Sequence, residues 1–325
     1  MKILAVDDDE LSLELFTLFA GQAGFRDLVT VSSAEDAVHL LKTADADFDC
    51  LMLDINMPDI NGIELCAIVR AMPHYEKTPI IMLTGVSEKN AVDRAFRAGA
   101  TDYVTKPFDI VELHARLRMA EELLAAPKIA DLDASMTDDV QGKSRRAIHF
   151  DLAEELHVRG VEHLISYTAL SNYLTQLSRA GIASTQVVAV KIDRIEAIHS
   201  RASTEEFLYA LAEVADMIGE VFGIYGCMMA YAGNGAFVVV SGKATMESSI
   251  GLEGEIQVLL DEKESEYDNG DPLDLDISMG NPIRPSPGMT QRIRKTFDRA
   301  VARAESRVQK KRCDPLARSI RLVSG

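Results

Sequence analysis

LMLDINMPDING, residues 51–62, decides how the first part of this chain folds. An uninterrupted apolar run leads into Asp54, and Pro58, Asn61 and Gly62 then break it. Such a run, bounded by turn residues, reads as a strand covered on both faces. The next stretch, GIELCAIVRAM (62–72), carries its apolar residues at helical spacing. A strand that ends in an acid and passes directly into a helix is one β–α unit of a parallel sheet.

The same alternation extends in both directions. KILAV (2–6), LVTV (28–31), PIIMLT (79–84) and DYVTK (102–106) read as strands. SLELFTLFAGQ (12–22), AEDAVHLLKT (34–43), KNAVDRAFRAG (89–99) and IVELHARLRMAEELL (110–124) read as helices. Repeated β–α units over residues 1–124 predict a flavodoxin-like α/β domain, a five-stranded parallel sheet with helices on both faces.

In such a sheet, chemistry gathers at the carboxyl ends of the strands. Asp7 and Asp8 follow the first strand, Asp54 ends the third, Thr84 the fourth and Lys106 the fifth. Convergent carboxylates repel one another, and a hard cation such as Mg²⁺ relieves that repulsion. A carboxylate beside Mg²⁺ can attack a phosphoryl donor and form an acyl phosphate. The metal and the Lys106 ammonium would offset charge on the phosphoryl oxygens, and Thr84 would donate a hydrogen bond to them.

VDDDE, LDINMPDING, LTG and GATDYVTKPF, taken together, resemble the receiver domain of two-component response regulators over residues 1–124. The resemblance implies that Asp54 is the phosphoacceptor. It makes Asp8 the direct metal ligand, assisted by Asp7, with the backbone carbonyl of Asn56 as a third protein ligand to Mg²⁺. Thr84 and Lys106 would bind the phosphoryl group, and Tyr103 would be the aromatic switch. A cis bond is expected between Lys106 and Pro107. The donor would be a cognate sensor histidine kinase or phosphotransfer protein. The face built from the fourth helix, fifth strand and fifth helix carries Arg94, Arg97, Asp102, Glu112, Arg116 and Arg118. Their mixed charges would pair across a two-fold axis in a homodimer.

Residues 125–160, beginning AAPKIADLDASMTDDVQGKSRR, are polar and weakly periodic and read as a linker. A second domain is predicted over 161–325. EHLISYTALSNYLTQLSR (162–179) and TEEFLYALAEVADMIGEVF (204–222) read as helices, and QVVAVKID (186–193) as a strand. GCMMAYAGNGAFVVVSG (226–242) reads as two strands joined at a Gly-Asn-Gly turn, with one of Met228 and Met229 facing in and the other out. A helix follows within 248–268, then an alternating strand, LDLDISMG (273–280), and a basic closing helix, TQRIRKTFDRAVARAESRVQKK (290–311).

SYTALSNYL, VVAVKIDRIEAIH, YAGNGAFVVV and LDISMG, in this order, resemble the GGDEF domain of diguanylate cyclases over residues 162–312, an α+β nucleotidyl-cyclase-like fold. That family joins two GTP molecules into cyclic di-GMP. It needs acids that hold Mg²⁺ on the triphosphate, and glycines where backbone meets nucleotide. Matched position by position, the signature reads Gly233, Asn234, Gly235, Ala236, Phe237. Its metal-binding acid falls at Gly235 and the following acid at Ala236. The other metal Asp falls at Lys191, two residues before a retained Asp193. The base-reading residues fall at His199 and near Leu208, and the phosphate-binding Lys at Glu305. Asn172 is retained. The family's product-binding Arg-x-x-Asp has no counterpart in FGIYGCMM (222–229).

The resemblance therefore implies a retained fold with cyclase activity lost, whose output is dimerisation or protein binding. The same hairpin also fits an α+β domain that never held such a site. A sensor of GTP or cyclic di-GMP ranks lower, and an active diguanylate cyclase is opposed by the residues themselves.

Composition sets outer limits. A length of 325 residues favours two domains. A net charge of −17 disfavours nucleic acid and anionic lipid as general partners. Residues 284–325 reverse this locally, with 12 Lys and Arg against 3 Asp and Glu, and read as a solvated helix face. No helix-turn-helix pattern points to DNA. No apolar run is long enough to cross a membrane, and MKILAVDDDE does not read as a signal peptide, so a cytoplasmic location is expected. The scattered Cys50, Cys66, Cys227 and Cys313 are expected to be buried thiols.

Overall fold

The computed structural model describes residues 1–43, 47–85, 89–125, 151–153, 158, 161–177, 179–224, 226–242, 248–285 and 290–313. It divides into two compact units, Met1–Asp133 and Ala134–Gly325. That division and most of the predicted linker, including His157, lie outside the described residues.

The first unit alternates strands and helices throughout: β1 (Ile3–Val6), α1 (Glu10–Gln22), β2 (Leu28–Val31), α2 (Ala34–Leu41), β3 (Cys50–Asp54), α3 (Gly62–Arg70), β4 (Ile80–Thr84), α4 (Lys89–Arg97), β5 (Asp102–Thr105) and α5 (Ile110–Ala125). The strands form one five-stranded sheet in the order β2-β1-β3-β4-β5, every pair parallel. This is the predicted flavodoxin-like sheet.

Side chains alternate between its faces, so two cores form. Leu4, Val6, Leu51, Leu53, Ile80 and Met82 pack with α2 and α3. Ile3, Ala5, Cys50, Met52, Ile81 and Leu83 pack with α1 and α5. Each Leu, Ile, Val or Met among them contributes about 1.5–3 kcal/mol when fully buried. The half-buried Arg70 ties several loops of the unit together. Its guanidinium donates to the carbonyls of Gly99, Tyr75, Glu76 and Thr78 at 2.7–3.2 Å.

The second unit comprises α6 (Tyr167–Gln176), α7 (Arg179–Ala183), β6 (Gln186–Ile192), α8 (Ile195–Arg201), α9 (Thr204–Gly223), β7 (Cys227–Tyr231), β8 (Ala236–Ser241), α10 (Ser249–Glu262), β9 (Ile277–Met279) and α11 (Thr290–Cys313). Its four-stranded sheet has the order β7-β8-β6-β9, with antiparallel neighbours. Helices α9 and α10 cover one face and α6 and α11 the other.

That two-sided cover corrects several expectations. Met228 and Met229 are both buried, because each face of β7 has its own helices. The helix expected from residue 162 starts only at Tyr167. Residues 163–165 are instead held against β7: Ile165 N–H donates to the Met229 carbonyl and Met229 N–H to the His163 carbonyl, both at 2.9 Å. Ser166 then caps the helix through the Ala169 N–H. The strand expected over 273–280 pairs only at Ile277–Met279, because β6 ends at Ile192 and Arg194 turns the chain at φ 56°. Short α7 and α8 were not anticipated. Cys313 is exposed at the end of α11, whereas the other three cysteines are buried.

Candidate functional site

The strand order of the first unit reverses between β1 and β3, and a crevice opens there at the carboxyl ends of the strands. Asp7 and Asp8 lie just past β1, Asp54 ends β3, Thr84 ends β4 and Lys106 lies just past β5. Carboxylate oxygens of Asp7, Asp8 and Asp54 lie within 4.8 Å of one another. Asp7 and Asp54 are buried and Asp8 is exposed. Lys106 Nζ bridges the buried pair, 2.5 Å from Asp7 Oδ2 and 2.6 Å from Asp54 Oδ1. Asn56 N–H donates to Asp54 Oδ2 at 2.7 Å, and Ser12 Oγ donates to Asp7 Oδ2 at 2.6 Å. Thr84 is buried at the same edge, and its carbonyl accepts the Lys106 N–H at 2.7 Å.

The electrostatics follow from this burial. Loss of hydration pushes the Asp54 carboxyl above its ordinary value, and the Lys106 ammonium and Asn56 amide only partly reverse the shift. Burial opposes the Lys106 charge, but the two carboxylates outweigh it and hold the ammonium protonated. Three carboxylates face one ammonium, and an all-oxygen donor set of this kind fits a hard divalent cation. Asp7, Asp8 and Asp54 are the side chains that would hold it. Such a cation would screen the carboxylates and the oxygens of an incoming phosphoryl group.

Local backbone geometry makes this arrangement possible. Gly62 opens α3 directly beneath the end of β3, where an added Cβ would lie 1.9 Å from the Asp54 carbonyl oxygen. Asn61 caps α3 in a capping box with Glu64, a contribution of about 1 kcal/mol. The Lys106–Pro107 bond is cis, as expected. Tyr103 is half-buried and meets Phe96 edge-on, with centroids 6.3 Å apart. Ser12 and Gly62 were missed in the sequence. Ser12 carries a signal only once α1 is placed, and Gly62 only once the approach of α3 to β3 is known.

The face formed by α4, β5 and α5 differs from expectation. Asp102 is fully buried, and Arg116 Nε lies 3.5 Å from its Oδ2. Arg116 also lies 4.0 Å from Glu112. These charges pair within the unit, which takes Asp102 off the surface. Arg94 lines a cavity of about 490 Å³ together with Asp8, Asn56, Met57 and Asn61.

In the second unit, three of the residues singled out in the sequence, Lys191, Asn234 and Glu305, meet and satisfy one another. Lys191 Nζ donates to the Asn234 carbonyl at 2.9 Å and lies 3.5 Å from Glu305 Oε1. Asp193 accepts a hydrogen bond from Ser278 Oγ at 3.1 Å, and burial pushes its carboxyl upward. Gly233, Asn234 and Gly235 all have positive φ, at 81°, 51° and 72°.

The space around this turn is taken. Asn234 N–H donates to the Leu152 carbonyl at 2.6 Å, and a Cβ on Gly233 would lie 2.4 Å from the Ala153 carbonyl oxygen. A Cβ on Gly235 would lie 2.8 Å from Ile195 Cγ1. An acidic side chain at 235 therefore meets both backbone strain and an occupied volume. Ala236 is fully covered and paired with Lys191 across the ladder. His199 stacks edge-on against Phe207 at 5.2 Å, in a packing role. Asn172 is buried on α6.

Known proteins align with the first unit. Residues 3–118 match the family model of the response regulator receiver domain. The transcriptional regulatory protein YvrH of Bacillus subtilis is 34% identical over 116 residues, covering 36% of this chain and 47% of that protein. The cell cycle transcriptional regulator CtrA of Caulobacter vibrioides is 35% identical over 117 residues, 36% of this chain and 48% of its own. The structure of the chemotaxis protein CheY4 of Vibrio cholerae shares 30% identity over 37% of this chain and 97% of its own, with a TM-score of 0.34. The chain spans about half the length of the first two relatives. Among the described residues, no helix is long and apolar enough to cross a membrane. Residues 3–118 of this chain are a response regulator receiver domain.

Proposed function

We propose that the chain is a phosphorylation-controlled response regulator of a two-component system. Asp54 accepts the phosphoryl group. Asp8, Asp7 and the Asn56 carbonyl hold Mg²⁺ with it, Thr84 and Lys106 bind the transferred group, and Tyr103 follows Thr84 as the switch. The donor is a cognate sensor histidine kinase or phosphotransfer protein. One observation carries the reading: a single ammonium, Lys106 Nζ, bridges Asp7 and Asp54 at 2.5 and 2.6 Å. A bridge of this kind leaves the acid cluster with excess negative charge, which a divalent cation completes.

We read residues 161–325 as a degenerate GGDEF-like domain without enzymatic output. The Lys191–Glu305 pair and the filled turn at Gly233–Gly235 support that reading over nucleotide sensing. The domain signals through dimerisation or by binding a downstream protein in the cytoplasm.

Light scattering on the full chain with Mg²⁺ and beryllofluoride, a mimic of the phosphoryl group on Asp54, tests the output. A doubled mass on activation is expected, and it should vanish in Asp54→Ala. An unchanged mass would argue against dimerisation as the output and leave a different protein partner as the readout. Any cyclic di-GMP made from GTP by the activated chain would contradict loss of the cyclase.

A further inference from the structure

We propose that Arg94 binds the carboxylate leaving group of an acyl-phosphate donor in the cavity lined by Asp8 and Asn56, beside Asp54, giving the receiver a preference for such small donors over donors without a carboxylate. The proposal rests on the reading of Asp54 as phosphoacceptor.

Three observations lead to it. First, Arg94 lines the cavity of about 490 Å³ that also carries Asp8, Asn56 and Asn61. Second, Arg94 is exposed on α4, and among the described residues no carboxylate pairs with it. Third, the formal charges of the site cancel without it. Asp7, Asp8 and Asp54 carry three negative charges, and Lys106 with one divalent cation carries three positive ones. An anionic donor therefore approaches a centre with no net charge, and Arg94 is the cation among the residues that line the cavity.

The chemistry suits a guanidinium. An Asp54 carboxylate oxygen forms the new O–P bond, and the bond from phosphorus to the acyl oxygen breaks. The electron pair leaves with that oxygen as a free carboxylate, and no proton has to move. Negative charge thus develops on a carboxylate, the group that the planar guanidinium fork pairs with best. Lys106 stands on the phosphoryl side, where it contacts Asp54 directly.

The test compares initial rates of Asp54 phosphorylation in the full chain with acetyl phosphate and with phosphoramidate, followed by intact mass. Phosphoramidate loses ammonia and presents no carboxylate. In Arg94→Ala, acetyl phosphate should react roughly tenfold more slowly, as for loss of one charge-assisted hydrogen bond. Phosphoramidate should change less than about twofold, since its leaving group gives the guanidinium no carboxylate to pair with. Arg94→Lys should fall between, and Arg94→Glu should slow both anionic donors but acetyl phosphate several-fold more than phosphoramidate. Equal slowing with both donors, or no slowing with either, would overturn the assignment. A wild-type chain that neither donor phosphorylates would instead remove the phosphoacceptor reading, and this one with it.

Discussion

The two units place charged side chains at comparable points, the ends of sheet strands, and the outcomes are opposite. In the first, Asp7 and Asp54 share one ammonium, and with Asp8 they keep a surplus of negative charge beside a cavity. In the second, Lys191 has both Glu305 and the Asn234 carbonyl, and the turn glycines are covered by Ala153 and Ile195. Whether strand-end charges are balanced from within is what separates a centre that calls for a ligand from one that has become part of the fold.

If the second unit uses charge for structure, its buried charge should matter most to stability. Glu253 is buried and bound by Arg307 at 2.9 Å, by Lys311 at 2.9 Å and by the Met279 N–H at 2.8 Å. Glu253→Ala should cost about 3–5 kcal/mol by denaturant melting, because it strands two cations. Burial pushes this carboxyl up, but Arg307, the Met279 amide and Lys311 outweigh burial and hold it below its ordinary value. The native carboxylate therefore resists protonation more than the unfolded one. Its contribution is complete above the ordinary glutamate range and is lost as pH falls through the lowered folded value. In Glu253→Gln, stability should depend less on pH in that acidic window.

The first unit should be most sensitive where backbone shapes its site. Gly62→Ala forces a Cβ to within 1.9 Å of the Asp54 carbonyl oxygen. A loss of about 3 kcal/mol is expected, with displacement of Asp54 visible as weaker beryllofluoride binding. A stable Gly62→Ala chain with normal binding would break the claim that this contact sets the site.

The smallest effect concerns the Lys191–Glu305 pair. Glu305 is half-exposed, so the Lys191–Glu305 coupling should be only about 0.5 kcal/mol in a double-mutant cycle. Lys191→Asp alone should destabilise, since it sets an acid beside Glu305, and Lys191→Asp with Glu305→Lys should recover most of that loss. No recovery would mean that the two residues are only neighbours.

Much of the first unit was legible because period and chemistry agree there. Apolar runs such as IIMLT are strands buried on both faces, and three of them lead directly to Asp7, Asp54 and Thr84 at the sheet edge. The parts that were not legible depend on contacts distant in sequence. Arg94 looked like a face charge until the fold placed it at the cavity, and Asp102 until Arg116 was found beside it. In the second unit, both strand faces are covered, so Met228 and Met229 gave no clue to which helices lie over them. Lys191 and Glu305 are far apart in the sequence, and their pairing is visible only once the fold brings them together.

Intact mass spectrometry of the full chain after incubation with acetyl phosphate and Mg²⁺ tests the central claim most directly. One phosphoryl group per chain is predicted, labile as an acyl phosphate is, and absent from Asp54→Ala. No adduct on the wild-type chain, or an adduct that survives in Asp54→Ala, would contradict the account.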